Sequence, residues 1–212
     1  MQAKCQVDMT YGDISKQLFM FTIPILLSQI LQQFYNIADT AIIGRYIGTD
    51  ALAAIGSTGL LISVIVNFFI GLSTGVSAVI ANQFGANEYD KLKKSISTLL
   101  AVSVLLGIVF TIGSLIFMKP IINILQTPKG VYSLAIDYLK ICFLGITFQL
   151  LYNIGTAILR ALGNTKDPLY FLIFSCILNL ILDILFIVYF GWGVKGAAIA
   201  TLISQILATL LV

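Results

Sequence analysis

Long apolar runs set what this chain can fold into. Six of them follow one another, each of roughly 20 residues or more, the length that an α-helix needs to cross the hydrocarbon core of a bilayer. Because 59% of the 212 residues are hydrophobic and only 10% are charged, a water-soluble fold would lack the polar side chains to cover its surface. We therefore predict an all-α integral membrane protein, a bundle of six transmembrane helices.

Glycine, proline and charged clusters separate the apolar runs. A polar segment, residues 1–13, precedes the first run and lacks the features of a cleaved signal peptide. Breaks are predicted at 44–50 and 85–94, in a link before the fourth helix bounded by Lys119–Pro120 and residues 127–130, at 163–168 and at 191–193. The predicted helices lie near residues 14–43, 52–81, 95–117, 131–162, 169–190 and 194–212. Because the last run ends at Val212 without a polar tail, we expect a fragment or one half of a longer chain.

The distribution of lysine and arginine predicts the orientation in the membrane. With a cytoplasmic N-terminus, seven basic residues lie inside: Lys4, Lys16, Lys91, Lys93, Lys94, Arg160 and Lys166. Four then lie outside: Arg45, Lys119, Lys129 and Lys195. Basic residues favour the cytoplasmic side, so the bias predicts a multi-pass protein of the cell membrane with its N-terminus and residues 1–13 in the cytoplasm.

The composition also argues against several classes of function. There is no histidine, and Cys5, Cys142 and Cys176 form no CxxC pair, so the usual metal ligands and the commonest general base are missing. No nucleophile–base set stands out and no segment forms a basic nucleic-acid-binding face. We therefore expect neither an enzyme, nor a cofactor, nor a nucleic-acid partner.

Two aspartates lie within predicted membrane helices, where an ionised side chain is energetically unfavourable. Asp39 and Asp183 sit inside apolar runs, without a basic partner on their own helices. Asn179 shares a helix face with Asp183, four residues away, and Thr201 lies on the sixth helix. With a cytoplasmic N-terminus, Asp39, Asp183 and Thr201 all fall in the outer half of the bilayer. Carboxylate, amide and hydroxyl oxygens suit a hard cation such as Na+, and two acids can also share a proton.

Other polar residues carry weaker hypotheses. Gln29, Gln32, Asn36 and Asp39 step along one face of the first helix, and Asn153 in the fourth helix can face the same cavity. The structural alternative is that these side chains hold helices together and that Asp39 reaches water at a helix end. Pro24 interrupts the hydrogen bonding of the first helix, which predicts a kink and a hinge.

Four motifs in order resemble the MATE (multidrug and toxic compound extrusion) transporters. The similarity extends over nearly the whole chain and lies in residues 39–56, residues 71–86 from GLSTG to QFGA, residues 159–168 (LRALGNTKDP) and residues 179–183 (NLILD). The resemblance implies a twelve-helix protein of two six-helix lobes that exports organic cations or drug-like molecules in exchange for Na+ or protons. This chain would be the N-terminal lobe, without the second lobe that completes a transport path.

The resemblance also implies site residues. Asp39, Asn179, Asp183 and Thr201 match a cation site of some members, Pro24 matches a proline associated with bending of the first helix, and Tyr138 and Asn153 match residues of the cavity. Two alternatives remain open: a flippase of the same superfamily for lipid-linked oligosaccharides, and a truncated membrane scaffold that transports nothing. A flippase should carry basic residues deep in its helices, and none is seen here.

Single cysteines in a background free of native cysteine test the orientation. We expect an impermeant thiol reagent to label Lys93→Cys only from the cytoplasmic side and Lys129→Cys only from outside, because these loops alternate across the membrane. Labelling in the opposite pattern would reverse the topology and remove the argument that the aspartates share the outer half of the bilayer.

Overall fold

The computed structural model describes residues 13–125, 127–128 and 130–212, and helices make up nearly all of them. The α-helices are α1 (Ile14–Tyr46), α2 (Thr49–Gly85), α3 (Tyr89–Ile124), α4 (Tyr132–Leu144), α5 (Ile146–Ala161), α6 (Lys166–Asp183) and α7 (Gly193–Leu211). Five of them are long and apolar enough to cross a membrane, and α4 and α5 together make a sixth, bent span. This confirms the predicted fold class within the described part of the chain. The segment 1–12 and Lys129 lie outside the described residues.

The helices extend beyond the apolar runs that predict them. Asp13 caps α1, its side chain accepting a hydrogen bond of 3.0 Å from the backbone N–H of Ser15. The link before the fourth predicted helix starts later than Lys119–Pro120, because α3 continues through Pro120 to Ile124. Hydropathy locates the part of a helix that lies in lipid, whereas backbone hydrogen bonding continues into the polar ends, and a proline in the last turns removes few of those bonds.

The fourth predicted helix is broken at its middle. α4 and α5 meet at Gly145 with a bend of 45°. A Cβ atom on Gly145 would lie 2.8 Å from Oε1 of Gln205 and 3.3 Å from a methyl group of Leu202, both on α7. α7 therefore packs closely against the bend, and this long-range contact is invisible in the local apolar pattern.

The fifth predicted helix changes its winding directly after Asp183. Residues Ile184–Tyr189 form a π-helical turn, and the chain then reverses through Gly191 and Gly193, which have φ angles of 65° and 56°. The ring of Phe186 stacks on Trp192 with centroids 5.0 Å apart. π-helical turns are rare and frequently occur at functional sites.

Three apolar clusters hold the bundle together. The largest joins α2, α3, α4 and α5, and its fully buried residues include Phe69, Ile80, Ile122, Leu139, Phe143 and Leu150. The second joins α1, α2, α4, the π-helical turn and α7 and includes Ile43, Ala51, Tyr138, Ile187 and Val194. The smallest consists of Ala54, Val131 and Ala135. α1 packs mainly against α6 and leaves much of its surface exposed, so α1 is the most peripheral helix of the bundle.

Two glycines on α3 give a matched test of the packing. A Cβ atom on Gly107 would lie 2.8 Å from the Cα atom of Thr147 on α5, whereas one on Gly113 would meet nothing within 4 Å. We expect Gly107→Ala to destabilise the bundle by about 1–3 kcal/mol, because backbone cannot move aside cheaply. Gly113→Ala should have little effect or stabilise the helix slightly. Thermal unfolding in detergent, monitored by circular dichroism, measures both variants. Equal melting temperatures for the two variants would contradict this packing.

Candidate functional site

Two carboxyl groups meet inside the lobe, one from α1 and one from the end of α6. Asp183 is fully buried and Asp39 is half-buried, and their side chains interact directly. One oxygen of each carboxyl group, Oδ1, is buried and has no hydrogen-bond partner among the described residues. Buried carboxylates that face each other without full hydrogen bonding require a compensating positive charge or a proton.

Asn179 and Thr201 complete the cluster. With its amide oriented to satisfy both neighbours, Asn179 donates from Nδ2 to Oδ2 of Asp183 over 2.7 Å and accepts from the backbone N–H of Thr201 over 3.1 Å. The Thr201 hydroxyl lies 3.4 Å from the Asn179 amide and donates to the carbonyl of Ala197 over 3.1 Å. The structure thus brings all four residues of the sequence-predicted cation site together.

Small residues on α7 let the helix approach this cluster. Ala197, Ala198 and Ala200 are almost completely buried. A Cβ atom on Gly196 would lie 3.1 to 3.2 Å from Phe186 of the π-helical turn. Small residues at such positions allow close contact between membrane helices. The turn after Asp183 therefore packs tightly on α7 one helical turn before Thr201.

Tyr35 belongs to the cluster and was missed in the sequence. Its hydroxyl lies beside the side chain of Thr201, and the residue lies close to both aspartates. Tyr35 stands four residues before Asp39, so the shared helix face was a signal that could have found it. Tyr138, expected in the cavity, lies beside Asp39 and Tyr35 and contacts the thiol of Cys142.

The other sequence-predicted residues differ in their surroundings. Gln29, Gln32 and Asn36 of the predicted polar stripe on α1 are all exposed, and Gln32 also lines a small cavity together with Tyr35 and Thr201. Asn153 donates to the carbonyl of Gln149 on its own helix over 2.9 Å.

Pro24 does not interrupt α1. The helix runs continuously from Ile14 to Tyr46, and the Ser28 hydroxyl donates to the Pro24 carbonyl over 2.8 Å. Pro24 is buried within the bundle. Its predicted role as a hinge concerns motion and stays a prediction.

No basic side chain neutralises the aspartates within the described residues. The ion pairs there are Lys91–Glu88 at 2.8 Å and Lys195–Asp137 at 3.3 Å, both outside the cluster. Asp137 thus pairs with Lys195 of α7. Arg160 lies near Tyr152 at the far end of α5. The pair Asp39–Asp183 therefore has no neutralising side chain among the described residues.

Comparison with known proteins decides the family. The MatE family model matches residues 24–185, more than half of the chain. The chain belongs to the MATE family. It is 34% identical over 203 residues to the probable multidrug resistance protein YpnP of Bacillus subtilis (strain 168), covering 96% of this chain and 46% of YpnP. It is 28% identical over 197 residues to the multidrug export protein MepA of Staphylococcus aureus (strain NCTC 8325 / PS 47), and the match covers 93% of this chain and 44% of MepA.

Solved MATE structures share the fold of this lobe. A MATE crystal structure in the bent conformation matches with a TM-score of 0.88 and 30% identity, covering 94% of this chain and 44% of that one. A MATE crystal structure in the straight conformation matches with a TM-score of 0.87 and 30% identity, covering 94% of this chain and 44% of that one. The chain therefore spans about half the length of the MATE proteins it matches, consistent with one six-helix lobe.

Two asparagines allow a test of the cluster. We expect Asn179→Ala to destabilise the protein by about 1–3 kcal/mol, because it removes the donor to the buried Asp183 carboxylate. Asn153→Ala removes only a bond within one helix and should cost less than about 1 kcal/mol. Thermal unfolding of both variants in the same detergent measures the difference, and equal losses would show that the Asn179–Asp183 bond contributes nothing specific.

Proposed function

We propose that this MATE-family chain is the N-terminal lobe of an antiporter that exports organic cations or drug-like molecules in exchange for Na+ or protons. The observation that carries the proposal is the direct meeting of Asp39 and Asp183 inside the lobe, with no basic partner in the described residues. The names of YpnP and MepA, which refer to multidrug resistance and export, support the substrate class.

The chemistry of the cluster suits a small cation. Two carboxylates, the Asn179 carboxamide and the Thr201 hydroxyl offer oxygen ligands of the kind that hard cations prefer. A half-turn of the Asn179 side-chain amide exchanges its nitrogen and oxygen. The residue can therefore donate to Asp183 in one orientation and present an oxygen to Na+ in the other. A proton shared by the two carboxyl groups would relieve the same repulsion.

Cation binding would act on the position of α1. α1 packs mainly against α6, and the Asp39–Asp183 contact is part of that packing. A bound cation or proton holds the two carboxylates together, and its release leaves two like charges facing each other in a medium of low dielectric. We infer that α1 then moves relative to α6, with Pro24 as the hinge. Few residues of α1 are buried, so moving this helix exposes little apolar surface.

A second six-helix lobe would complete the transporter. Alternating access in secondary transporters comes from two units that rock about a central site. The polar side chains of Gln29 and Asn36 are exposed on a helix of membrane-spanning length. In lipid such groups need a protein or aqueous neighbour, which a second lobe and a substrate path between the lobes would supply. The proposed location is the cell membrane, with the N-terminus in the cytoplasm.

Asp137 pairs with Lys195 outside the cluster, so it provides a control for replacing Asp39 or Asp183. In proteoliposomes holding the lobe within a complete two-lobe protein, we expect Asp39→Asn and Asp183→Asn each to abolish cation-coupled efflux, since each removes one charge of the pair. Thr201→Ala should weaken the apparent cation affinity more mildly, because it removes one neutral oxygen. Asp137→Asn, which alters only the pair with Lys195, should transport normally.

Each variant must first be shown to insert into the membrane, by protease protection or by its yield in the membrane fraction. Efflux by Asp183→Asn with an unchanged dependence on Na+ and pH would overturn the site assignment. The polar cluster would then be a helix-packing feature.

A further inference from the structure

The π-helical turn after Asp183 changes the direction in which the following side chains point. Its winding shows in a hydrogen bond of 3.0 Å from the backbone N–H of Phe190 to the carbonyl of Leu185, five residues back. In a continuous α-helix Phe190, seven residues after Asp183, would share the face of that aspartate. Asp183 is instead fully buried, whereas Phe190 is 54% exposed. The turn therefore lets Asp183 face the interior while the end of the helix faces outward.

Phe186, three residues after Asp183, is held in place by two neighbours. Its carbonyl accepts a hydrogen bond of 2.9 Å from the backbone N–H of Trp192, and its ring stacks on the indole of Trp192. α7 adds the second contact, since a Cβ atom on Gly196 would lie 3.1 Å from the Cβ atom of Phe186. A shift of Phe186 would therefore disturb its contact with Trp192 or with α7.

The next residue, Ile187, connects the turn with α1. Ile187 is buried in the apolar cluster that also contains Ile43 of α1 and Val194 of α7. Ile43 stands four residues after Asp39 and so lies on the same helix face. The part of α1 that carries Asp39 thus packs on the turn that follows Asp183. The turn is therefore in contact with both helices that supply the carboxyl groups.

The titratable groups around this contact fall into two sets. Tyrosine and cysteine side chains from α1, α4 and α6 lie near the aspartates, namely Tyr35, Tyr138, Cys142 and Cys176. Around Trp192 the groups belong to the outer ends of the helices, namely Tyr189, Lys195 with its partner Asp137, and the exposed Arg45, Tyr46 and Asp50 of the turn between α1 and α2. The first set contains no carboxyl group, so the carboxyl signal of the interior comes from the aspartate pair.

We propose that Phe186 is a positioning residue that links Asp183 to Trp192, so that the aspartate pair and the outer aromatic turn change position together. A displacement of Phe186 alters the separation of the two carboxyl groups, and a change in the charge of the pair is transmitted to Trp192. The proposal deepens the proposed function, because it names a residue that tunes the coupling site, and it rests on that function for its biological meaning. The link itself is a property of the lobe and can be measured without transport.

Trp192 is the single tryptophan of the chain, so its fluorescence reports on the link directly. The 212-residue chain in lipid nanodiscs is titrated with acid while the emission of Trp192 and the infrared band of protonated carboxyl groups are both followed. The same titration of Asp39→Asn/Asp183→Asn is subtracted, which removes the signal of Asp137 and the other carboxyl groups. In the difference we expect emission and carboxyl band to change with one midpoint. Emission that changes no more than in the double variant would overturn the link.

Two glycine variants separate the link from general packing. Gly196→Ala adds a methyl group against Phe186, and Gly107→Ala adds one against Thr147, between α3 and α5. We expect Gly196→Ala to shift the shared midpoint by about one pH unit, which corresponds to a tenfold change in proton affinity. Gly107→Ala should leave the midpoint unchanged. The same midpoint in Gly196→Ala as in the unaltered chain, or an equal shift in both variants, would show that Phe186 does not position Asp183.

A third variant removes the ring contact and keeps the test decisive if Gly196→Ala does not fold. Phe186→Leu retains an apolar side chain but loses the ring that stacks on Trp192. In this variant the carboxyl band should still titrate, while the emission of Trp192 should no longer follow it. Emission that follows the band as in the unaltered chain would contradict the role of Phe186.

The link and the antiport role fail separately. The spectroscopic assay contains no ion gradient and no second lobe, so a silent Trp192 would leave the antiport role of Asp39 and Asp183 untouched. Efflux that does not depend on the aspartates would overturn the proposed function, and it would leave the spectroscopic result unaffected.

Discussion

The contact between Asp39 and Asp183 is the interaction on which the rest of the site depends. It joins a peripheral helix, α1, to the end of α6 and places two carboxyl groups against each other within the lobe. Taking even one carboxylate out of water costs several kcal/mol, and a second one nearby adds repulsion. In the function that we propose, a proton or cation between the groups offsets this cost, so the packing of α1 on α6 would be linked to the occupancy of the site.

Three departures from regular helix geometry surround this contact. α6 passes into a π-helical turn directly after Asp183, α7 approaches through Gly196 and a row of alanines, and the span made by α4 and α5 bends at Gly145 where Gln205 packs. Each departure lets α7 come close, which brings Thr201 to Asn179 and Tyr35. Where a membrane helix is irregular, some backbone N–H and C=O groups lose their helical partners. Such groups are tolerated when they face the interior of the bundle and not the lipid. Irregular helices also provide places where small rearrangements can occur without unfolding a helix.

Much of the fold and the centre of the site could be predicted from the sequence. Apolar run lengths are a direct consequence of bilayer thickness, so the six spans were found, and the high cost of charge in lipid pointed to Asp39 and Asp183. The break at Gly145, the turn after Asp183 and the continuation of α3 through Pro120 were not found. They arise from contacts between distant segments, or from backbone hydrogen bonds that hydropathy does not report.

Tyr35 shows a further limit of prediction from the sequence. A tyrosine side chain costs little to place in a membrane, so it does not stand out as an ionisable residue does, and its neighbour Thr201 lies on another helix. Only the assembled bundle shows that Tyr35 reaches Thr201. The charged residues of a membrane lobe are thus accessible from its sequence, whereas the neutral polar residues that shape its cavities require the structure.

The central claim is that Asp39 and Asp183 form one coupled site, and infrared difference spectroscopy of the carboxyl C=O stretch tests it most directly. The chain in lipid nanodiscs is titrated with acid, and the protonated-carboxyl band is followed in the unaltered protein, Asp39→Asn and Asp183→Asn. The account predicts that replacing either aspartate shifts the titration midpoint of the other. Two bands that titrate independently, each unaffected by loss of the other aspartate, would contradict it.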